Sequence, residues 1–235
     1  MWRTTYRHAD GSVETKALNA RTPWMSNLFP WFKGADGQPE APPPLRVQLP
    51  AEALRRLTGD EAAEPRTFGS SEACYQYAKA VFFDRRVGDT EAYAEAYGGA
   101  HGGILAAGFP EDIGALESKK AGGKGSFSRA LAASLGNRAR AKRLYDAILK
   151  DWFAVSADVM REVLAAKFDA TRNPAYRELL LATGEAPLFE GRRRGGNIWE
   201  KGAPHHPWGL LGELLVETRS RAREPRVGGA SKDGL

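Results

Sequence analysis

The sequence has little cysteine and no long apolar run. Cys74 is the only cysteine in 235 residues, so no disulfide can form within the chain, and such cysteine usage is typical of a reducing compartment. No window approaches the run of about eighteen apolar residues that a membrane-spanning helix needs. The first residues also lack the apolar core of a secretory signal. We therefore expect a cytoplasmic protein that does not enter a membrane.

The composition that is present is that of a folded domain. Hydrophobic residues make up 42% and charged residues 27% of the chain, which excludes disordered and fibrous classes. The formal net charge is +5, which permits a polyanionic partner. Arg192, Arg193 and Arg194 contribute three of these charges, and residues 219–235 contribute a further net of three. We therefore predict a near-neutral folded body that could bind nucleic acid through the arginine triplet and the basic tail.

Helical patterning dominates the chain. It predicts a mainly α fold (α+β at most), with one compact multi-helical domain over 1–222 and a disordered basic tail over 223–235. A short β-hairpin is expected within residues 1–20, where Asp10-Gly11 suits a tight turn. The predicted helices are 51–58, 71–84, 90–98, 112–121, 127–149, 151–168, 174–183 and 208–222.

One predicted helix carries a stripe of four polar or aromatic residues. At 3.6 residues per turn, Glu72, Tyr75, Gln76 and Lys79 share one face. This face is either the wall of a pocket or the half-solvated side of an ordinary amphipathic helix. Ordinary amphipathic helices carry such a face, which favours the half-solvated side. The tyrosine and glutamine between the charges, which a solvated stripe does not need, narrow the difference between the two interpretations.

A second candidate element is the glycine- and lysine-rich segment 118–126. Its glycines would let backbone N–H groups approach an anion, and its lysines supply positive charge. It is not a P-loop, because Ser118 stands where the first glycine is required. The alternative interpretation is a mobile, solvated loop.

Other conspicuous residues favour packing over chemistry. Trp199 precedes the segment 204–207, whose two histidines have no acidic or cysteine ligand at metal spacing, so we expect a proline-stiffened loop and no metal. Trp199 itself could stack on a base or anchor that loop. Trp152 and Met160 are predicted to lie in the core. Cys74 is expected to be a small buried hydrophobe.

The pattern Glu72-x-x-Tyr75-Gln76-x-x-Lys79 resembles the signature helix of the NADAR family, which is named for proposed links to NAD and ADP-ribose. Further blocks occur in the family's order and together span more than four-fifths of the chain. These blocks are Ser26–Pro30, Trp152 with Met160 and Lys167-Phe168, Leu180–Gly184 with Leu188 and Glu190, Trp199, and Leu211–Leu215 with Arg219.

The resemblance implies a hydrolase that needs no cofactor and cleaves an N-glycosidic bond between an ADP-ribose or ribose-phosphate unit and a nitrogenous base. ADP-ribosylated guanine in nucleotides or DNA is one implied substrate, and an early riboflavin-pathway intermediate is the alternative. Such a reaction passes through an oxocarbenium-like transition state, which a carboxylate stabilises. Glu72 suits that role, and Lys79 could donate a proton, hold phosphate or form a Schiff base.

The resemblance also implies a set of substrate-binding residues, in which Tyr75 and Gln76 suit base stacking and ribose hydrogen bonds. The full set is Asn27, Tyr75, Gln76, Lys120, Asn197 and Trp199.

Six features depart from the family's pattern. Ala73 replaces a histidine, Asn197 an aspartate, Glu200 a glycine and Gly209 an asparagine. The segment from Lys167 to Gly184 is longer than expected, and residues 126–150 look like an insertion. These departures favour a different class as the alternative, a catalytically silent module that binds nucleotide or nucleic acid. A third hypothesis, a helical protein-interaction domain, predicts no polar pocket near Glu72.

Overall fold

The structure is a computed structural model that describes residues 44–88, 103–188, 199, 205–206 and 209–224, together with the backbone of four short strands. The strands are β1 (Trp2–Arg7), β2 (Val13–Leu18), β3 (Phe32–Lys33) and β4 (Pro39–Glu40). They pair as two antiparallel ribbons, β1 with β2 and β3 with β4, with Trp2 opposite Leu18 in the first. Asp10-Gly11, the predicted turn, lies outside the described residues.

The described part of the chain is mainly helical, as the sequence predicts. Its α-helices are α1 (Ala51–Thr58), α2 (Ser71–Gly88), α3 (Ala115–Ala121), α4 (Lys124–Leu135), α5 (Arg138–Lys167), α6 (Pro174–Ala182) and α7 (Leu210–Arg223), and Ala106–Gly108 form a 3-10 turn. Within these residues, every helix is too short or too polar to span a bilayer.

Local chemistry accounts for several of the helix ends. Gly59 ends α1 and Gly184 follows α6, both with a positive φ (73° and 57°) that glycine adopts without steric cost. Pro174 occupies the first turn of α6, where its missing N–H costs nothing. At the start of α2, the Ser70 hydroxyl accepts a hydrogen bond from the Ala73 amide at 3.1 Å.

Two predicted boundaries are wrong. The expected break near residue 150 does not exist, because α5 runs unbroken for 30 residues. The break lies instead at Gly136, which has a φ of 61°, and at Asn137, whose side chain accepts a hydrogen bond from the Arg140 amide. Helix α2 also continues one turn past the predicted end at residue 84, and this turn buries Val87.

Helix α2 lies at the centre of the fold. It packs against α1, α3 and α5, while α5 also packs against α4 and α7. Residues 126–150, the predicted insertion, contribute Phe127, Leu131, Tyr145 and Ile148 to the buried core. The signature stripe therefore lies on a helix that neighbouring helices hold in place on several sides.

The boundaries of two further helices differ from the predicted ones, and two predicted segments lie outside the described residues. Helix α3 starts at residue 115, later than the predicted 112, and α7 extends through Arg223, where the tail was expected to begin. The predicted helix 90–98 and residues 225–235 of the tail lie outside the described residues.

Candidate active site

The polar stripe of α2 is buried, so its interpretation as a half-solvated helix face is wrong. Glu72 is 6%, Tyr75 8% and Lys79 9% exposed, and Gln76 is half-buried. Ionisable side chains are rarely buried to this extent unless they are paired or hydrogen-bonded. The helix therefore brings a carboxyl, an amide, a phenol and an amine together inside the fold.

Glu72 and Gln76 form a pair one helical turn apart. Gln76 Nε2 donates a hydrogen bond of 2.9 Å to Glu72 Oε1. Burial raises the pKa of the Glu72 carboxyl, while this hydrogen bond and the positive charges of Lys119 and Lys79 oppose the rise. The Glu72 carboxyl therefore holds its proton more tightly than the carboxyl of an exposed glutamate. The hydrogen bond from Gln76 to Oε1 fixes its orientation.

The amine of Lys79 is held by one carbonyl and three aromatic rings. Nζ donates a hydrogen bond of 2.9 Å to the Gly122 carbonyl. It also lies 5.2 Å from the ring centroid of Phe127, 5.6 Å from that of Phe83 and 6.0 Å from that of Tyr145. Burial lowers the pKa of Lys79 to about 8, against the opposing charge of Glu72. The rings favour the ammonium form through cation–π attraction.

The segment 118–126 is not the solvated loop that the sequence allowed. Helix α3 ends at Ala121 and α4 starts at Lys124, so only Gly122 and Gly123 form the turn. A Cβ built on Gly122 would lie 1.9 Å from Gln76 Oε1, so this close approach requires glycine. Gln76 Oε1 is buried and accepts no hydrogen bond from the described residues.

Lysines 119 and 120 differ in their relation to this site. The Lys120 side chain is exposed, and its backbone carbonyl accepts a hydrogen bond from Ser126 Oγ at 2.8 Å. Lys119 is the lysine whose charge acts on Glu72. Sequence reasoning missed Lys119, because adjacent lysines are indistinguishable until the phase of α3 is known.

Tyr75 joins the site to an aromatic cluster. Its ring centroid lies 5.4 Å from that of Trp152 and 5.9 Å from that of Trp199, both edge-on. Burial raises the pKa of the Tyr75 hydroxyl, so the phenol stays protonated. Trp152 is 2% and Met160 3% exposed, which confirms that they lie in the core. The structure therefore brings Trp199 to the edge of the stripe.

The other residues singled out from the sequence either lie outside the described residues or have partners away from the stripe. Asn27, Asn197 and the range 192–194 lie outside the described residues. Cys74 is buried, as expected, and burial raises its pKa to about 12, so it is an unreactive thiol. His206 Nδ1 lies 2.7 Å from Glu213 Oε2. Among the residues that the structure describes, no group of three or more metal-ligating side chains comes together.

A separate cavity lies on the opposite face of α2. It has a volume of about 480 Å³ and is bordered by α2 residues that include Tyr77, Val81 and Asp84. These positions are turned away from the stripe by roughly half a helical turn. The cavity therefore does not belong to the group around Glu72.

The geometry supplies the parts of an acid–base site. A carboxyl with a raised pKa and an amine with a lowered pKa share one buried helix face, a pattern that recurs where enzymes move protons.

Comparison of the chain with family models, with curated proteins and with solved structures gave no match. The resemblance to the NADAR family therefore stays a prediction from the residues quoted above.

Proposed function

We propose that this protein is an N-glycosidase of NADAR type, which hydrolyses the bond between an ADP-ribose or ribose-phosphate unit and a nitrogenous base. The observation that carries the proposal is the buried group on α2, in which Glu72 is hydrogen-bonded to Gln76 and electrostatically coupled to Lys79. A carboxylate in such surroundings stabilises positive charge on a sugar ring far better than one in water.

In the proposed reaction, the bond between the anomeric carbon and the base nitrogen breaks, and its electron pair leaves with the base. The ionised Glu72 carboxylate stabilises the resulting oxocarbenium-like centre and then takes a proton from the attacking water. Gln76 Nε2 holds Oε1, which leaves the other carboxylate oxygen to face the substrate. The sugar acquires the hydroxyl of the water, and the proton that Glu72 took passes through solvent to the departing base, which regenerates the carboxylate.

Lys79 has three chemical roles open to it, and its contacts favour an electrostatic one. The Gly122 carbonyl and the three rings hold the ammonium in place, so its charge acts on Glu72 without reaching outward. A Schiff base would require the amine to leave this cage as a neutral nucleophile. Proton donation and phosphate binding would likewise require it to turn towards the substrate.

For substrate binding, we propose that Tyr75 and Trp199 contact the base. Their rings are in edge-on contact at 5.9 Å, Trp199 is only half-buried, and a flat base can stack on such a ring. Asn27, Lys120 and Asn197 stay proposed substrate-binding residues on the strength of the family resemblance alone. The preferred substrate is ADP-ribosylated guanine, and the riboflavin-pathway intermediate is the alternative.

One observation favours a second candidate, a catalytically silent module that binds nucleotide or nucleic acid. Ala73, which stands where the family has histidine, is fully buried in the core. Position 73 therefore offers no histidine for proton transfer beside Glu72, and Lys79 is held in its own cage. A module of this kind would bind the same ligands and release no base.

The experiment that separates these candidates presents three substrates in parallel. ADP-ribosylated guanosine, ADP-ribosylated DNA and a riboflavin-pathway intermediate are incubated with the protein, and mass spectrometry monitors release of the free base. We expect release from at least one substrate and none with Glu72→Gln. Saturable binding without release would favour the silent module, and absence of both binding and release would remove both candidates.

A further inference from the structure

One segment of the chain carries much of its positive charge, although the net charge of the whole chain does not reveal this. Residues 119–150 contain nine basic side chains and one acidic side chain, whereas residues 44–118 contain seven basic and twelve acidic ones. All nine basic residues of 119–150 are exposed. The near-neutral total of the folded body therefore hides a strongly basic segment that follows an acidic one in the sequence.

The outer face of α5 orders part of this charge into a stripe. Lys142, Asp146, Lys150 and Phe153 follow one another at intervals of four, four and three residues, so they lie along one side of the helix. The run from Lys142 to Phe153 covers about 16 Å of helix. An adjacent side of α5 is fixed in the core by Tyr145, Ile148 and Trp152, so the stripe is presented on a rigid support.

Asp146 is the only acidic group within 119–150, and lysines surround it. Lys124 Nζ donates a hydrogen bond of 2.8 Å to Asp146 Oδ1. Lys142 and Lys150 lie four residues before and after Asp146, one turn away on the same side of α5. The pKa of Asp146 is lowered first by the hydrogen bond from Lys124 and also by the charges of these two lysines. The ion pair between Lys124 and Asp146 connects α5 to the start of α4, so the basic surface extends over both helices.

Phe153 adds a flat apolar surface to the stripe. Its side chain is 55% exposed, although α5 packs most of its apolar residues inwards. A large aromatic ring next to lysines is the combination with which proteins bind single-stranded nucleic acid, since the lysines neutralise phosphates and the ring stacks on an unpaired base. A duplex keeps its bases stacked inside and offers none to such a ring.

We propose that Lys142, Lys150, Phe153 and the neighbouring Arg143 form a binding surface for single-stranded nucleic acid on the outer face of α5. The lysines and the arginine contact phosphates, and Phe153 stacks on one base. The surface continues over Lys124 to the α3–α4 turn, near which the charge of Lys119 reaches Glu72. It does not depend on the proposed N-glycosidase reaction and would serve either candidate function.

The test measures binding of the full chain to a fluorescein-labelled single-stranded 20-mer by anisotropy, over 50–300 mM NaCl. We expect the triple variant Lys142→Gln, Arg143→Gln, Lys150→Gln to bind at least tenfold more weakly at 100 mM salt. The slope of log affinity against log salt should also fall by about two, since about 0.7 is lost per phosphate contact on a single strand. A matched triple variant, Arg46→Gln, Arg55→Gln, Arg172→Gln, removes three exposed charges elsewhere and should keep both values.

Two single variants and two further partners sharpen the test. Phe153→Ala should weaken single-strand binding about tenfold and leave binding to a 20-base-pair duplex unchanged, and Asp146→Asn should strengthen binding to both. Three results would overturn the proposal. The first is an equal loss of affinity in the two triple variants, and the second is an equal effect of Phe153→Ala on single-strand and duplex binding. The third is no binding of the single strand at 50 mM salt. Preference for anionic lipid vesicles over the oligonucleotide would overturn it as well.

Discussion

The amine of Lys79 is the residue-scale feature on which the proposed chemistry depends most. Burial lowers its pKa to about 8, so the ammonium is present below pH 8 and is lost as the pH rises through that value. Because a protonated Lys79 stabilises the ionised form of Glu72, we expect kcat/KM for base release to decline above about pH 8. Lys79→Arg keeps a permanent charge and should extend activity to higher pH, which a pH–rate profile measures.

The matched control for that experiment is Lys150→Arg, assayed on the free nucleoside. This lysine is exposed on the outer face of α5, and its substitution should leave the alkaline limb in place. A folded Lys79→Arg protein that is inactive at every pH would favour the Schiff-base role. A limb near pH 8 that persists in Lys79→Arg would contradict the electrostatic role.

Gly122 provides a second residue-scale prediction. An alanine Cβ at this position would overlap Gln76 Oε1 at 1.9 Å, so Gly122→Ala should displace the amide that orients Glu72. We expect a loss of about 1–3 kcal/mol in the free energy of unfolding, as is usual for overpacking, together with slower base release. Urea denaturation measures the first effect, and the assay for free base measures the second.

Two further variants show whether the overlap with Gln76 is the cause. Gly125→Ala is the matched control, because a Cβ there meets nothing within 4 Å. Adding Gln76→Ala to Gly122→Ala should recover most of the lost stability, since the group that the new methyl meets is then absent. Strictly additive effects of the two substitutions would show that the clash lies elsewhere.

At the scale of elements, α4 and α5 form a helical hairpin. Helix α4 and the first part of α5 make up residues 126–150, the segment that the sequence predicts to be an insertion. Its Phe127 ring lies 5.3 Å from Phe83 and is one of the three rings around Lys79. We expect Phe127→Ala to cost about 3–5 kcal/mol of unfolding free energy, since the side chain is 2% exposed. Urea denaturation measures this cost.

Phe153→Ala is the natural control, because it removes the same side chain from the same hairpin at a 55% exposed position. It should change the unfolding free energy by less than about 0.5 kcal/mol. Equal effects of the two substitutions would mean that the hairpin is a peripheral addition to the fold.

The elements also show which features the sequence allows one to predict. The ends at Gly59 and Gly184 were predicted correctly because a glycine with positive φ is a local signal. The break at Gly136-Asn137 has the same kind of signal, but the helical periodicity on both sides concealed it. The burial of Lys79 was not predictable, because its cage joins Phe83 to Phe127 and Tyr145, which are distant in sequence.

At the scale of the whole molecule, α5 has an inner surface that packs in the core and an outer surface that faces solvent. The inner surface packs Trp152 against Tyr75 and so supports the candidate site. The outer surface carries the basic stripe with Phe153. The net charge of +5 is a sum over the chain and could not reveal this division, which depends on the phase of the helix.

The central claim, that the buried Glu72 performs the hydrolysis of an N-glycosidic bond, is tested most directly by one comparison. The rate of base release from ADP-ribosylated guanosine is measured for the wild type and for Glu72→Gln, with the fold of each confirmed by circular dichroism. Glutamine keeps the size of the side chain and removes its charge. A positioned acid–base group contributes on the order of 10²–10⁴-fold to a rate, so we expect the rate of base release by Glu72→Gln to be at least about 100-fold lower. A folded Glu72→Gln protein that releases base as fast as the wild type would contradict it.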